Sequence, residues 1–311
     1  MFFPKRSALA LLFLLIAFFS IPAIASAHEV YVLSPAEITQ AIGTPSFDLL
    51  AVAEQNLGQF VFWAFIGILL VFGVFWISIV RFLERQLDPM LAKLRRFTPF
   101  IARFTIGVSF LAGAYYQATY GPELPLSSLG PWAGLVTVTL VVIGTLAILG
   151  LYMRIAAFIA LVLYCVTVAL HGSYMLTYVN YLGEIIVLLI LGAHSFSLDT
   201  YLAKGKKTAQ KSRSVLAIWS KKIQSYLTPR SFMILRILFG TALIYASAYA
   251  KIIHNNLALF TVEKYHLDHL LGFEPHFLVL GAAIVELLIG LFFILGIELR
   301  FTALFFLFWL T

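Results

Sequence analysis

Long apolar stretches alternate along the chain with short polar or basic ones, and runs of about 17 to 25 apolar residues are the length at which a helix crosses a hydrocarbon core. The pattern predicts spans at Phe60–Val80, Phe100–Tyr120, Trp132–Tyr152, Ile155–Leu170, Leu182–Leu198, Ser231–Ile253 and Phe277–Ile297, with an eighth starting at Phe301. The expected fold is all-α, a polytopic transmembrane helix bundle. Ahead of the spans, Lys5 and Arg6 precede an apolar core from Ala8 to Phe19 and the small residues Ala25, Ser26 and Ala27. Residues 1–27 therefore read as a secretory signal peptide, with an uncleaved anchor as the alternative. In the short extracytoplasmic segment 28–58, Ser34-Pro35-Ala36-Glu37 reads as a helix start: a capping serine, a proline at the first helical position and an acid three residues on. Gly43 is expected to end that helix, and Phe47 to Leu57 follows at helical spacing.

Composition narrows the class. The chain is 62% hydrophobic and 11% charged, with mean hydropathy +0.98, too little polar residue to cover a soluble globule of 311 residues. The lone Cys165 rules out an internal disulfide or a cysteine zinc site, and its apolar surroundings read as a buried, inert thiol. The formal charge of +7 comes from loops. Arg81 to Arg103, Arg154, Lys204 to Arg236, and Arg300 all fall on one side of the predicted spans. Lys251 and Lys264 fall on the other. Such a bias marks the basic side as cytoplasmic, so the charge indicates a multi-pass protein of a bacterial-type inner membrane with its mature N-terminus outside. The partner it implies is the lipid bilayer, and no nucleic-acid partner is expected.

The chain also repeats itself. Ile143-Gly144 followed by Ile148-Leu149-Gly150-Leu151-Tyr152-Met153-Arg154 recurs at the same spacing as Ile289-Gly290 followed by Ile294-Leu295-Gly296-Ile297-Glu298-Leu299-Arg300. Arg103, Gly107, Gly113 and Tyr116 likewise parallel Arg236, Gly240, Ala246 and Tyr249. The predicted organisation is a first transmembrane helix and basic loop at 59–99, a four-helix unit at 100–199, a basic linker at 200–230, and a second unit at 231–311. The second unit is incomplete, about 35 residues short of the first by the repeat alignment. An even number of spans per unit gives tandem repeats in parallel orientation. Ser109 and Gly113, matched by Ala242 and Ala246, form small-residue faces expected to let helices approach. Arg154 and Arg300 read as headgroup anchors that also cap helix ends.

Those residues carry a family resemblance. Arg236, Gly240, Tyr249, Lys251, Glu286, Gly290, Gly296 and Arg300 form a pattern that resembles the DoxX family of small four-helix membrane proteins. Arg103, Gly107, Tyr116, Gly144, Gly150 and Arg154 match it in the first unit, as does the Ser195-Phe196-Ser197-Leu198-Asp199 ending. The first unit departs from it in having Leu140 where the second has Glu286. The resemblance covers about residues 100–311. It implies a membrane module linked in several members to quinone-coupled sulfur oxidation or to thiol and oxidative-stress redox complexes, often as an accessory beside a membrane redox partner subunit. Quinone is the cofactor it makes possible.

The residues themselves suggest where chemistry could lie. Glu286 sits midway along an apolar helix, where an ionised side chain costs about 2.5 to 3.5 kcal/mol, so it must be protonated, paired or facing a hydrated interior. Lys251 is its candidate partner, and Glu184 a shallower polar site. His266 and His269 stand three apart, and His28 would begin the mature chain; together they form a candidate metal set, since imidazole suits copper, zinc or iron. No phosphate loop, paired cysteine or nucleophile triad is present to define an enzyme. Two other classes stay open: a transporter or metal-handling membrane protein, and a structural scaffold with no small-molecule site.

Overall fold

A computed structural model describes residues 33–58, 97–192, 197–204 and 225–309, with parts of 61–86 between them. The expected signal peptide, His28, most of the first span, Ser195-Phe196 and most of the basic linker lie outside the described residues. Helices account for the fold, and no strand occurs among the described residues. Four helical runs are long and apolar enough to cross a membrane: Leu126–Leu149, Met153–Leu191, Ser231–Ile253 and Pro275–Leu295. The chain is thus a multi-pass membrane protein.

Two short helices precede the bundle. Helix α1, Pro35–Gly43, opens with a full capping box: the Ser34 hydroxyl accepts the Glu37 N–H at 3.3 Å and the Glu37 carboxylate accepts the Ser34 N–H. Helix α2, Leu49–Leu57, is capped by Asp48, whose Oδ1 accepts the Leu50 N–H at 2.8 Å. The chain between them is tied down from afar. Asn255, fully buried, accepts the Phe47 N–H at 3.1 Å and donates to the Phe47 carbonyl at 2.7 Å. Asn256 donates to the carbonyls of Thr44 and Pro45. A buried backbone group left unpaired is costly, so these asparagines fix the N-terminal segment against the bundle.

The first group of helices comprises α3 (Thr98–Tyr115), α4 (Ala133–Leu149), α5 (Met153–His171) and α6 (Val179–Leu191), with α7 (Leu198–Lys204) beyond. The 39 residues from Met153 to Leu191 are too long for one crossing. They fold back at the 3₁₀ segment Gly172–Tyr178, so that α5 and α6 pack as a hairpin. Phe110, Leu126, Leu140, Met175 and Ile185 fill the space between these helices. The sequence pattern carries the fifth span on to Leu198, but the helix stops at Leu191. Gly192 takes φ 70 with ψ −152, a backbone conformation that favours glycine and ends α6, and the Arg154 side chain lies over it.

The second group comprises α8 (Ser231–Ser247), which continues as a π-helix over Ala248–Ile253, then α9 (Asn256–Lys264), α10 (Leu267–Leu271), α11 (Pro275–Leu295) and α12 (Leu299–Trp309). Helix α8 packs on α11 along one side and on α6 along the other, where a Cβ added at Gly183 would lie 3.2 Å from Leu238. It therefore joins the two groups. Phe62 and Phe65, in the described part of the first span, pack against Phe277 of α11.

Helix pairs α3–α4 and α8–α11 approach through glycines. A Cβ at Gly107 would meet the Gly144 carbonyl at 2.9 Å, and one at Gly240 would meet the Gly290 carbonyl at 2.5 Å. Only hydrogen fits there, because no hydrophobic effect draws helices together in lipid and contact must come from close packing. On the expected small-residue face, Gly113 stands nearest the carbonyls of Ala118 and Thr119, with Leu140 of α4 at 3.8 Å from its would-be Cβ. Besides Arg154 over Gly192, two further arginines lie over helix ends. Gly150 (φ 64) ends α4 beneath the guanidinium of fully buried Arg103, and Gly296 (φ 76) ends α11 beneath that of Arg236. A cation at the negative end of the helix dipole is favourable. Cys165 is exposed on α5 rather than buried. In a membrane an apolar neighbourhood in sequence is equally that of a lipid-facing position.

Candidate functional site

Lys251 and Glu286 meet. The Lys251 Nζ stands 2.9 Å from Glu286 Oε2, with the lysine side chain 8% and the glutamate side chain 18% exposed. Their helices run antiparallel, and the register is set by Gly240 opposite Gly290 and by Ser247, whose hydroxyl donates to the Ala283 carbonyl at 3.4 Å. Extending it puts Lys251 level with about Val279, so the two backbones are roughly 10 Å apart along the axis at 1.5 Å per residue. Side chains on a helix lean toward its N-terminus. On antiparallel neighbours the two long side chains therefore lean toward each other, and the pair closes that gap.

Lys251 also sits in the π-helical segment, where the His254 N–H donates to the Tyr249 carbonyl five residues back. Such wide turns are frequent at functional sites and shift the direction in which a side chain projects. The same turn carries Tyr249, whose ring packs edge-on against Tyr174 at 5.0 Å and at a tilt against His254 at 4.7 Å. Tyr174 leads to a second carboxylate. Its hydroxyl donates to Glu123 Oε1 at 3.0 Å, and the Tyr178 hydroxyl donates to the same oxygen. Glu123 Oε2 is buried with no hydrogen-bond partner among the described residues. Around this carboxylate the rings of Tyr120, Tyr174, Tyr178 and Tyr181 pack edge-on or tilted against one another.

The sequence reading missed Glu123. Its signal was an acid between Pro122 and Pro125 in the loop after α3, facing a tyrosine-rich stretch from Tyr174 to Tyr181. Loop position disguised it, because acids in loops are ordinarily solvated. Glu184, singled out from sequence, is half-buried on α6, beside Gly183 at the contact with α8. Among the described residues no hydrogen bond or ion pair joins it to Lys251 or Glu286.

Of the candidate metal set, His28 lies outside the described residues, while His266 and His269 come together with Asp268 between them. One ligand atom from each of the three lies within 4.8 Å of the others. Nearby, Glu274 caps α11 by accepting the N–H groups of His276 at 3.1 Å and Phe277 at 2.9 Å, and it also contacts the His276 ring. Burial pushes the Glu274 carboxyl up, but these hydrogen bonds and the neighbouring imidazole outweigh it and hold it below the ordinary value.

As chemistry, the Lys251–Glu286 pair offers a triple donor and a carboxylate acceptor side by side within the span of a membrane helix. No protein-family model, curated protein or solved structure matches this chain.

Proposed function

We propose that this chain is a DoxX-like protein of a bacterial-type inner membrane, built on parallel four-helix units, and that it serves as a quinone-interacting accessory module of a membrane redox system. The observation that carries this reading is the close Lys251–Glu286 pair on helices that cross the membrane. Desolvating two charges costs several kcal/mol per ion, and a pair of leucines would pack such a helix contact as well. Leu140 occupies the position in the first unit that Glu286 holds in the second, so the repeated frame does not need the charges. A ligand that uses both explains why they are kept. A quinone head group is such a ligand: its carbonyl accepts from the ammonium, and the hydroxyl of the quinol donates to the carboxylate.

The duplicated frame has its own support. Arginine over a left-handed glycine, and glycine against glycine, recur in α3–α4 and in α8–α11 at the positions the repeat aligns. The electrons would come from a partner subunit, the role suited to an accessory protein. The test is extraction of bound quinone from protein purified in mild detergent. Wild type is expected to retain quinone, and Glu286→Gln and Lys251→Met to retain at least tenfold less while still folded. Absence of quinone from wild type, or equal retention by the folded variants, would overturn the reading.

A further inference from the structure

We propose that His266, Asp268 and His269 form a binding site for a divalent first-row transition-metal ion at the end of the bundle where α9, α10 and the start of α11 meet. The site is independent of the quinone reading and uses none of its residues. Two imidazoles and one carboxylate from four consecutive positions are a donor set for zinc or copper, borderline metals that take nitrogen with oxygen and leave further coordination positions to water. The backbone brings these donors to one side. His266 precedes α10 with φ 50, in the left-handed region, and α10 is a single short turn closed by Gly272 at φ 72. The reversal at His266 throws its ring back over the turn, so that the rings of His266 and His269 stand with centroids 6.0 Å apart and planes at 60°.

Asp268 completes the set, with Oδ2 at 3.6 Å from His269 Nε2. All three donor atoms lie within 4.8 Å of one another. Donors at about 2.0 to 2.1 Å from zinc stand roughly 3.3 Å apart in a tetrahedron, so closing the site takes a movement of about 1 Å or less per donor. Both histidines are exposed, and their side chains can turn by that much without disturbing the core. Asp268 is half-buried and holds its place as the fixed point of the three.

The test is titration of untagged, full-length protein in detergent with Zn²⁺ by calorimetry, and with Co²⁺ for its visible absorption. Wild type is expected to bind one ion in this site. His266→Ala, His269→Ala and Asp268→Asn should each weaken that binding by about 10- to 100-fold or more, whereas His171→Ala should leave it unchanged. Asp268→Asn keeps the shape of the turn, and thermal unfolding in the absence of metal checks that each variant is folded. Failure of wild type to bind Zn²⁺ or Co²⁺, or binding that survives in the folded His266→Ala/His269→Ala variant at wild-type affinity, overturns the proposal.

Discussion

A lysine and a glutamate removed from water are stabilising only while each has the other. Losing one partner of a buried pair leaves an uncompensated charge and costs about 3 to 5 kcal/mol, whereas replacing both by apolar residues of similar volume is close to neutral. Lys251→Met and Glu286→Leu are therefore each expected to lower thermal stability in detergent strongly, and the double variant to recover most of the loss. A double-mutant cycle measures this; additive losses would mean that the 2.9 Å contact carries no coupling. Glu37 makes a second residue-level case. Its carboxyl sits on the Lys264 ammonium, 2.8 Å from Oε2, and this contact with the Ser34 hydrogen bonds holds it down to about 2 from an unperturbed 4.5. The contribution of the pair is complete above about pH 4.5 and is lost as pH falls toward 2. Carboxyl NMR should place the Glu37 midpoint near 2, and Lys264→Met should move it back up. An unmoved midpoint would contradict the pairing.

The elements differ in how far the sequence announces them. Helix α1 was legible to its ends because the capping box and Gly43 act within a few residues. Gly150 and Gly296 stood out in the sequence, but the expected spans ran past them to Tyr152 and Ile297, whereas the helices end at Leu149 and Leu295. What sits over those glycines was not legible, since Arg103 and Arg236 come from a different helix in each case. The face of each span was hidden for a general reason: lipid is as apolar as a helix interface, so periodicity does not separate inside from outside, and Cys165 was misplaced accordingly. Both members of the Lys251–Glu286 pair stood out by their type in apolar runs. Their meeting depends on helix register, the lean of side chains and the π-helical turn, none of which the sequence pattern displays. Two changes test the packing itself. Gly240→Val should destabilise by about 1 to 3 kcal/mol or more, because a Cβ there meets the Gly290 backbone, and thermal unfolding reads that loss. Asn255→Ala should cost about 1 to 3 kcal/mol and speed hydrogen exchange at residues 44–57 while α3 to α6 stay protected.

Across the whole molecule, the two helix groups carry different polar clusters. The first group holds Glu123 in a cluster of tyrosines, the second holds Glu286 with Lys251, and Tyr249 against Tyr174 is where the two meet. The proposed orientation puts α10 outside and the basic linker in the cytoplasm. In a Cys165→Ala background, a cysteine at position 268 should then react with an impermeant reagent in intact cells, and one at position 208 only after permeabilisation. The reverse pattern would overturn the orientation. The quinone site rests on what the lysine–glutamate pair holds. Its most direct measurement is titration of the purified protein with a water-soluble short-chain quinone, followed by intrinsic fluorescence, in wild type and in the Lys251→Met/Glu286→Leu double variant. Saturable binding is expected in wild type, and at least tenfold weaker binding in a double variant that still unfolds cooperatively. Equal affinity in the two proteins would contradict that site.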